Sequence, residues 1–234
     1  MTGRSGSEGV RYLTDFIENK NNFKNKLSLL QLDFSSAYDN LDKDYLFKTM
    51  DFLKFEPALI NSIINLLEKP QVEIFINYKT ICNLTADSSI AQGDPISPIL
   101  FNIATLPLIC LLNKQGPRPF ITTEASHLTN HHRLKSNSCF FADDSVILLN
   151  SIEEIPNVLS IYEKFKNSSN LDVSMDKSSI ATNYLPSPEE LLIFRDINLP
   201  TDGITNKLTF LGCNISTTPP PEKLKPPAKK EKLK

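Results

Sequence analysis

The sequence predicts an α+β fold in which helices back one face of an antiparallel β-sheet. Short apolar runs typical of strands alternate along the chain with apolar residues at helical spacing. Two of the strand-like runs meet at an acidic turn, which is typical of a β-hairpin. The elements follow the order β-αα-β-α-ββ-α-β, and this mixture of paired strands and long helices favours a sheet with helices on one face.

The first strand is followed by two helices and a second strand. Residues 26–34 form a loosely alternating apolar run, as in a strand covered on both faces. An apolar stripe at helical spacing runs through 46–53, and a second stripe, at 59–67, begins after Glu56-Pro57. Residues 72–77 alternate between apolar and polar side chains, which predicts a half-buried strand.

The middle of the chain contains a long helix and the acidic hairpin. Residues 99–112 are apolar almost all round, which predicts a buried helix with a kink near Pro107. Residues 116–137 lack a periodic pattern and are expected to form a loop. Residues 139–149 predict two short strands that meet at Asp143-Asp144.

Two helix starts and a final strand complete the pattern. Ser151 and Glu154 have the spacing of a capping box, which predicts a helix whose apolar stripe runs through 155–165. Residues 187–190 repeat this start for a shorter helix. Residues 208–215 then return to a strand.

Length and composition predict one main domain inside the cell. A chain of 234 residues with 40% hydrophobic content can bury one ordinary core. The sequence has no run of eighteen apolar residues and no secretory leader, so we expect a nuclear or cytoplasmic protein that is neither secreted nor membrane-bound. Four widely spaced cysteines are expected to be reduced thiols, mostly buried.

The charge distribution does not favour nucleic-acid binding. The net charge is −2, but residues 219–234 contain six lysines and two glutamates, which leaves residues 1–218 at −6. Proteins that hold a nucleic-acid backbone normally present a basic surface, because electrostatic attraction supplies most of the non-specific affinity. The body of the chain is instead acidic.

Three aspartates stand where apolar strands end. Asp33 closes the first strand, and Asp143 and Asp144 occupy the hairpin turn. Buried carboxylates usually have a compensating cation, and a group without thiol or imidazole partners suits Mg²⁺ or Mn²⁺. Two such ions, roughly 3.5–4 Å apart, would stabilise the entering and leaving oxygens of a phosphoryl transfer. Spacing alone also allows an ordinary hairpin turn and a helix-entry aspartate, because Asp is favoured at turns and caps.

Five segments, taken together and in order, resemble the successive sequence blocks of reverse transcriptases. The segments are LDFSSAYDNLDKDYL, AQGDPISPILFNIATLPL, CFFADDSVILL, NLDVSMDKSSI and LTFLGCNI. They extend over residues 27–215. The FADD form, in place of the YxDD usual in retroviruses, and the form of the QGDPISP block resemble non-LTR (LINE-type) retrotransposons.

The resemblance implies the palm of a right-hand polymerase that carries out RNA-directed DNA synthesis. Such an enzyme uses two divalent ions, Mg²⁺ or Mn²⁺, to add deoxynucleoside triphosphates to a DNA primer on an RNA template. Asp33 and Asp143 would be metal ligands, joined by the backbone carbonyl of Phe34, with Asp144 as the second acid of the pair. Tyr38 would lie beneath the sugar of the incoming nucleotide and disfavour ribonucleotides. A core tyrosine is the alternative interpretation of Tyr38.

The resemblance implies further contacts with the nucleotide and the primer. Gln92, Gly93 and Pro95 would shape the nucleotide and template pocket, although a plain helix-entry turn has the same composition. Lys177 would protonate the departing pyrophosphate, and a solvated surface lysine is its alternative. Residues 210–212, which are Phe210, Leu211 and Gly212, would form the hairpin that grips the primer, or else an apolar edge strand.

The resemblance divides the chain into three parts. We expect partial fingers at 1–26, the reverse transcriptase palm at 27–215 and a disordered Pro- and Lys-rich tail at 216–234. Most of the fingers and the thumb of the family have no counterpart here, which suggests a fragment of a longer polyprotein. An inactive retroelement remnant that binds nucleic acid or protein is therefore an alternative function. An RNA-dependent RNA polymerase is a third, but that class typically carries Gly-Asp-Asp where this chain has Ala142-Asp143-Asp144.

Overall fold

The computed structural model describes residues 6–67, 71–85, 90–125, 128–133, 136–197, 199 and 204–217. Most of the Pro- and Lys-rich tail that was predicted to be disordered, from residue 218 onward, lies outside the described residues. The described residues form seven α-helices and eleven β-strands.

A five-stranded sheet, with strand order β6-β7-β1-β8-β9, is the centre of the fold. Its strands are β1 (Ser28–Phe34), β6 (Ser138–Phe141), β7 (Asp144–Leu149), β8 (Val173–Thr182) and β9 (Ile204–Thr205). The central strand β1 runs antiparallel to both β7 and β8, and only the short β9 joins in parallel. The predicted α+β fold with an antiparallel sheet is therefore confirmed.

Several of the helices match the predicted apolar stripes. The seven helices are α1 (Gly6–Asn22), α2 (Ala37–Asn40), α3 (Lys43–Phe52), α4 (Pro57–Leu67), α5 (Ser97–Gln115), α6 (Ile155–Ser169) and α7 (Pro188–Asp196). Leu46 and Met50 of α3, and Ile60 and Ile63 of α4, are buried in the main core, as their spacing predicts. The capping box at Ser187 is also present, because Ser187 and Glu190 satisfy each other's backbone amides.

Alternate residues of β1 belong to different cores. Leu30 and Leu32 pack into the main core beneath α3 to α6, whereas Leu29, with Leu27 just before the strand, packs into a second core with α1. This alternation follows from the period of two along a strand. The sheet is therefore covered by helices on one face and, over part of the other face, by α1.

Three two-stranded hairpins complete the described part of the fold. They are β2 (Gln71–Ile76) with β3 (Lys79–Thr85), β4 (Phe120–Ala125) with β5 (Leu128–Arg133), and β10 (Lys207–Phe210) with β11 (Cys213–Ser216). The strand predicted at 72–77 exists, but the prediction that it is half-buried was wrong. Ile74, Phe75 and Ile76 are all exposed, because this hairpin extends from the core rather than lying on it.

The prediction that residues 116–137 form a loop was wrong, because most of these residues form the β4–β5 hairpin. Its attachment to α1 is polar, since the Asn19 side chain bonds both the backbone N–H and the carbonyl of Thr122. Asn25 also donates to the Thr122 hydroxyl. An attachment made by two asparagines and by Ile121, which packs against the second core, leaves no alternating apolar pattern, and periodicity therefore did not reveal the hairpin.

Two other expectations were wrong. Ser151 does not cap a helix with its side chain, because the Glu154 carboxylate bonds instead to the backbone and side-chain amides of Asn150. Of the four free cysteines, only Cys139 is buried, and Cys110 and Cys213 are exposed.

Helix α5 is long and apolar enough to cross a membrane by length and composition alone. It packs instead against α3 and α6, and its buried residues, which include Phe101 and Leu108, belong to the main core. Its outer face, with Ile99 and Cys110, is exposed, so the predicted burial applies to one face only. The helix is continuous through Pro107. We therefore interpret α5 as the central core helix.

A buried lysine joins α1 to the sheet. Lys20 is fully buried, lies 3.7 Å from the centre of the Phe120 ring and donates to Asn150 at 3.0 Å. Burial lowers the pKa of Lys20 to about 8, with nearby Glu154 acting in the opposite direction. Below that pH the folded protein must hold a desolvated charge.

The free energy of unfolding is expected to rise between pH 8 and pH 10.5. In that interval the unfolded chain still binds a proton at Lys20, whose ordinary pKa is 10.5, while the folded chain has released it. Lys20→Met should remove this rise, which is at most roughly 3 kcal/mol at about 1.4 kcal/mol per pKa unit. Urea unfolding of both proteins across this range measures the difference. If the free energy of unfolding depends on pH in the same way in both proteins, the pKa of Lys20 is not lowered in the folded state.

Candidate active site

Two of the predicted acids face each other across the centre of the sheet. Asp33, the sixth residue of β1, pairs in register with Asp144, the first residue of β7. Directly opposite residues of an antiparallel pair project from the same face of a sheet. Asp33 and Asp144 are both partly exposed, because the second core ends before it reaches them.

The third acid occupies the tight turn beside this pair. Phe141 pairs with Asp144, so Ala142 and Asp143 form a two-residue hairpin loop. Ala142 has a φ of 51°, a conformation that favours glycine and that costs a residue with a side chain roughly 1 kcal/mol. The turn is therefore held in a strained form next to the acids, which is typical of functional sites.

The three carboxylates lie near one another, because Asp33 pairs with Asp144 and Asp143 precedes Asp144 in the turn. Partial burial raises the pKa of Asp144, and repulsion by Asp143 and Asp33 raises it further. A hydrogen bond from the Gln31 side chain acts in the opposite direction. A cation placed among these groups would relieve the repulsion.

Lys177 supplies a positive charge at this place. Its Nζ lies 3.6 Å from Oδ2 of Asp33, and 67% of its side chain is exposed. The β8 strand brings it there because Asp33 pairs with Ser174 on that strand, near the place where the register shifts. Lys177 is thus next to the acids rather than solvated at a distance from them.

A cleft of about 450 Å³ opens beside Asp143. The remaining pocket residues of the prediction line it together: Tyr38, Gln92, Gly93 and Pro95. Asp94, Ser97 and Pro98 complete the lining. Segments that are more than forty residues apart in sequence therefore converge on one cavity at the end of the sheet.

Hydrogen bonds fix the 91–97 loop against the residues that follow β1. Ile90 donates its backbone N–H to the carbonyl of Tyr38 at 3.2 Å, and Ser97 Oγ donates to the carbonyl of Ala91 at 2.7 Å. Asp94 Oδ1 accepts from the backbone N–H of Ile96, so this carboxylate stabilises the entry to α5. Gly93 has a φ of 91°, which glycine adopts at little cost.

Tyr38 forms one wall of the cleft. Its ring lies 5.2 Å from the ring of Phe101, centre to centre, and this packing holds it in place. Burial raises the pKa of the Tyr38 phenol, and the charge of Asp143 raises it further. The phenol is therefore protonated at neutral pH and stands close to Asp143.

Two predicted residues are buried away from the cleft. The Phe34 ring packs among Phe101, Tyr162 and Phe165 in the main core, so only its backbone can face the acids. Phe210 is 1% exposed and packs in the second core, where it approaches Gly9 of α1. The turn at the tip of β10–β11 presents Leu211, which is half-buried, and Gly212, which is exposed.

The donor set fits a hard divalent ion only in part. Within the part of the chain that the structure describes, no three His, Cys, Asp or Glu side chains are grouped tightly enough to hold an ion unaided. Mg²⁺, however, is commonly bound through one or two carboxylates, waters and the phosphates of a substrate. Mutually repelling carboxylates beside a cleft suit that manner of binding.

One contact residue of the acids was missed in the sequence. Gln31 lies two residues before Asp33, on the same face of β1, and its side chain lowers the pKa of Asp144. The period of two along the strand would have placed it beside Asp33. Its polar character within an otherwise apolar run was the available indication.

Comparison with known families identifies the chain. Residues 2–215 match the family model described as reverse transcriptase (RNA-dependent DNA polymerase). The chain belongs to this reverse transcriptase family. Reverse transcriptases of this family generally use divalent metals.

Two relatives connect this reverse transcriptase chain to retrotransposons. It is 22% identical over 204 residues to the transposon TX1 uncharacterized 149 kDa protein of Xenopus laevis, covering 85% of the chain and 15% of the relative. It is 21% identical over 197 residues to the Pol polyprotein of retrotransposable element R2 from Popillia japonica, covering 82% and 31%. The predicted resemblance to non-LTR reverse transcriptases is therefore confirmed, and the chain spans less than a third of either relative.

Solved structures with a similar fold include telomerases. The telomerase of Candida albicans, in complex with a fragment of telomeric RNA, aligns with a TM-score of 0.59 at 14% identity, covering 92% of this chain and 33% of that one. A truncated apo telomerase of Candida tropicalis aligns with a TM-score of 0.57 at 12% identity, covering 92% and 39%. At this identity the likeness establishes the fold of the reverse transcriptase chain.

Proposed function

We propose that this chain carries the active site of an RNA-directed DNA polymerase derived from a non-LTR retrotransposon. The observation that supports this most strongly is the convergence of Tyr38, Gln92 and Gly93 with Asp143 around one cleft. Asp33 and Asp144 face each other beside it. A nucleotide in the cleft would have its sugar near Tyr38 and its phosphates near the acids.

Asp33 and Asp143 are the proposed ligands of two divalent ions, Mg²⁺ or Mn²⁺, with the Phe34 carbonyl as a further ligand and Asp144 as an additional acid. The ions supply charge stabilisation for the entering and leaving oxygens of the phosphoryl transfer. By holding the ions in place, the two aspartates would determine where the primer 3′-hydroxyl and the triphosphate bind. Catalysis of this kind depends mostly on positioning and electrostatic stabilisation.

Lys177 is proposed to act on the leaving group. Its ammonium is held near the acids by Asp33 and is largely exposed, so it can reach a phosphate bound at the same place. A cation stabilises the negative charge that develops on the departing pyrophosphate, and an ammonium can also donate a proton to it.

The proposed partners are an RNA template, a DNA primer and deoxynucleoside triphosphates. Family membership supports the template and the substrate. For the primer, the exposed tip of β10–β11 at Leu211 and Gly212 is the proposed contact, whereas buried Phe210 anchors the hairpin. The acidic body of the chain predicts weak binding of nucleic acid that depends strongly on salt.

Single-nucleotide addition under single-turnover conditions tests this function. A primer annealed to an RNA template is mixed at low salt with excess chain, Mn²⁺ and either a deoxynucleotide or a ribonucleotide. We expect low yields of extension with the deoxynucleotide. Efficient use of the ribonucleotide would indicate an RNA polymerase, and no addition of either nucleotide would favour an inactive remnant.

Gly93 provides a more local prediction, with Gly212 as its matched control. Both glycines have positive φ, and an added Cβ at either would meet no atom within 4 Å. Each alanine substitution is therefore expected to cost roughly 1–2 kcal/mol of stability through backbone strain. Only Gly93→Ala should also weaken deoxynucleotide binding, because Gly93 lines the cleft and Gly212 does not. Equal loss of nucleotide affinity in both variants, measured by fluorescence titration, would contradict the assigned pocket.

A further inference from the structure

Two buried hydroxyl groups lie behind the acids, on the face of the sheet that packs against the main core. Ser145 follows Asp144 in β7, and its Oγ donates to the backbone carbonyl of Leu32 at 2.8 Å. The hydroxyl of Tyr162, on α6, lies 3.0 Å from the same Oγ. Because Ser145 has one hydroxyl proton and gives it to Leu32, Tyr162 must be the donor of the second bond.

The two hydroxyls form a chain of hydrogen bonds from α6 to both strands that carry the acids. Leu32 precedes Asp33, and it pairs in register with Ser145, which follows Asp144. Both hydroxyl-bearing residues are buried, with 0% of Ser145 and 4% of Tyr162 exposed. Hydrogen bonds shielded from water in this way are stronger, and each bond in a chain polarises the next.

The pairing of β1 on its other side is interrupted at the same place. The register between β1 and β8 shifts between Gln31 and Asp33, so the ladder is irregular opposite Leu32. The position of β1 at the acids therefore depends more on β7 than on β8. The bond from Ser145 to the Leu32 carbonyl adds a side-chain link between β1 and β7 at this residue.

Tyr162 also contacts the residue on the other side of Asp33. Its ring lies 6.0 Å from the ring of Phe34, centre to centre. One tyrosine of α6 thus packs against the residue after Asp33 and bonds, through Ser145, to the residue before it. A misplacement of reacting groups by about 1 Å can lower a rate roughly a hundredfold, so a contact that fixes these strands affects the acids directly.

We propose that Ser145 and Tyr162 are positioning residues that set the separation of the Asp33 and Asp144 carboxylates by fixing β1 against β7. Both lie in the core rather than in the lining of the cleft, so their effect passes through the two strands. This inference rests on the proposed function, because a rate readout assumes that the acids take part in nucleotide addition.

Tyr162→Phe tests the proposal, because it removes only the hydroxyl and keeps the ring against Phe34. We expect the rate of single-nucleotide addition at saturating deoxynucleotide to fall roughly tenfold. Nucleotide affinity, measured by fluorescence titration, should stay unchanged, because the lining of the cleft is intact. A loss of affinity without a loss of rate would contradict a role in positioning the acids.

Tyr45→Phe is the matched control. The Tyr45 hydroxyl donates to the carbonyl of Ala104 at 3.0 Å, and its ring packs in the same core, 5.9 Å from the ring of Phe165. Both variants should lower the urea midpoint, because each removes one hydrogen bond of this core. Only Tyr162→Phe should slow nucleotide addition. Equal rates in the two variants would show that the Tyr162 hydroxyl serves stability alone and would overturn the proposal.

Ser145→Ala interrupts the same chain at its middle. It should slow addition about as much as Tyr162→Phe, and the double variant should be no slower than Ser145→Ala alone, since both changes break one chain. Additive losses would contradict the proposal. If Tyr162→Phe fails to fold, Ser145→Ala is compared with Ser169→Ala, which removes another buried serine hydroxyl, bonded to the Phe165 carbonyl at 2.8 Å. Equal rates in these two serine variants would overturn the proposal.

Hydrogen exchange gives a readout that needs no activity. Tyr162→Phe and Ser145→Ala should speed exchange at the backbone amides of residues 32–34 and 144–146, whereas Tyr45→Phe should leave them as in the parent. If the parent extends no primer, the proposed function fails, and the exchange rates then decide the positioning role alone. Faster exchange confined to these amides would support it, and unchanged exchange in both variants would overturn it.

Discussion

Asp143→Asn is expected to lower the rate of nucleotide addition by at least roughly a thousandfold, which corresponds to about 4 kcal/mol of transition-state stabilisation. The amide keeps the size of the side chain and removes the charge that would hold an ion beside the cleft. Asp33→Asn should have an effect of the same order. Asp144→Asn should lose less, because this acid is proposed to assist the other two.

Asp196→Asn is the matched control for these substitutions. Asp196 is exposed at the end of α7 and should leave the rate unchanged. Single-turnover extension measures all four variants under one set of conditions. Retention of more than about a tenth of the parent rate in Asp143→Asn would remove this residue from the catalytic set.

Tyr38→Ala is expected to admit ribonucleotides roughly 10- to 100-fold better relative to deoxynucleotides, the range that one steric contact in a pocket can supply. The ring forms a wall of the cleft and is held by Phe101. Removing it opens the space that a 2′-hydroxyl would occupy. Comparison of the incorporation of each nucleotide by parent and variant measures the effect.

Tyr38→Phe separates the ring from the hydroxyl. It keeps the steric wall and should therefore discriminate between the sugars as the parent does. Unchanged discrimination in Tyr38→Ala would mean that this tyrosine serves only to pack against Phe101.

Local patterns in the sequence were sufficient for the strands that carry the acids. The apolar runs before Asp33 and around Asp143 became β1, β6 and β7, because a buried strand requires such runs. The pairing of Asp33 with Asp144 could not be predicted in the same way. It depends on long-range strand order and register, which periodicity does not contain, and only the family resemblance implied that the acids converge.

The elements that the sequence did not reveal lack a strong apolar pattern or depend on distant partners. The β4–β5 hairpin is attached through Asn19, Asn25 and the single apolar contact of Ile121, and such an attachment leaves no apolar repeat. Helix α1 is an exception, because its sequence does contain an apolar pattern: Leu13, Phe16 and Ile17 share one buried stripe. The burial of Phe210 was unpredictable for another reason: the core that covers it is formed by α1, about two hundred residues earlier.

The most direct test of the central claim is anomalous diffraction from crystals grown with Mn²⁺ and a deoxynucleoside triphosphate. We expect two manganese peaks, about 3.5–4 Å apart, each about 2.1 Å from its carboxylate ligands on Asp33 and Asp143. We also expect the nucleotide sugar to lie against Tyr38. Carboxyl groups of Asp33 and Asp143 more than about 8 Å apart, too far to share an ion with bonds of that length, would rule out a shared metal site. Manganese bound away from both residues would contradict it equally.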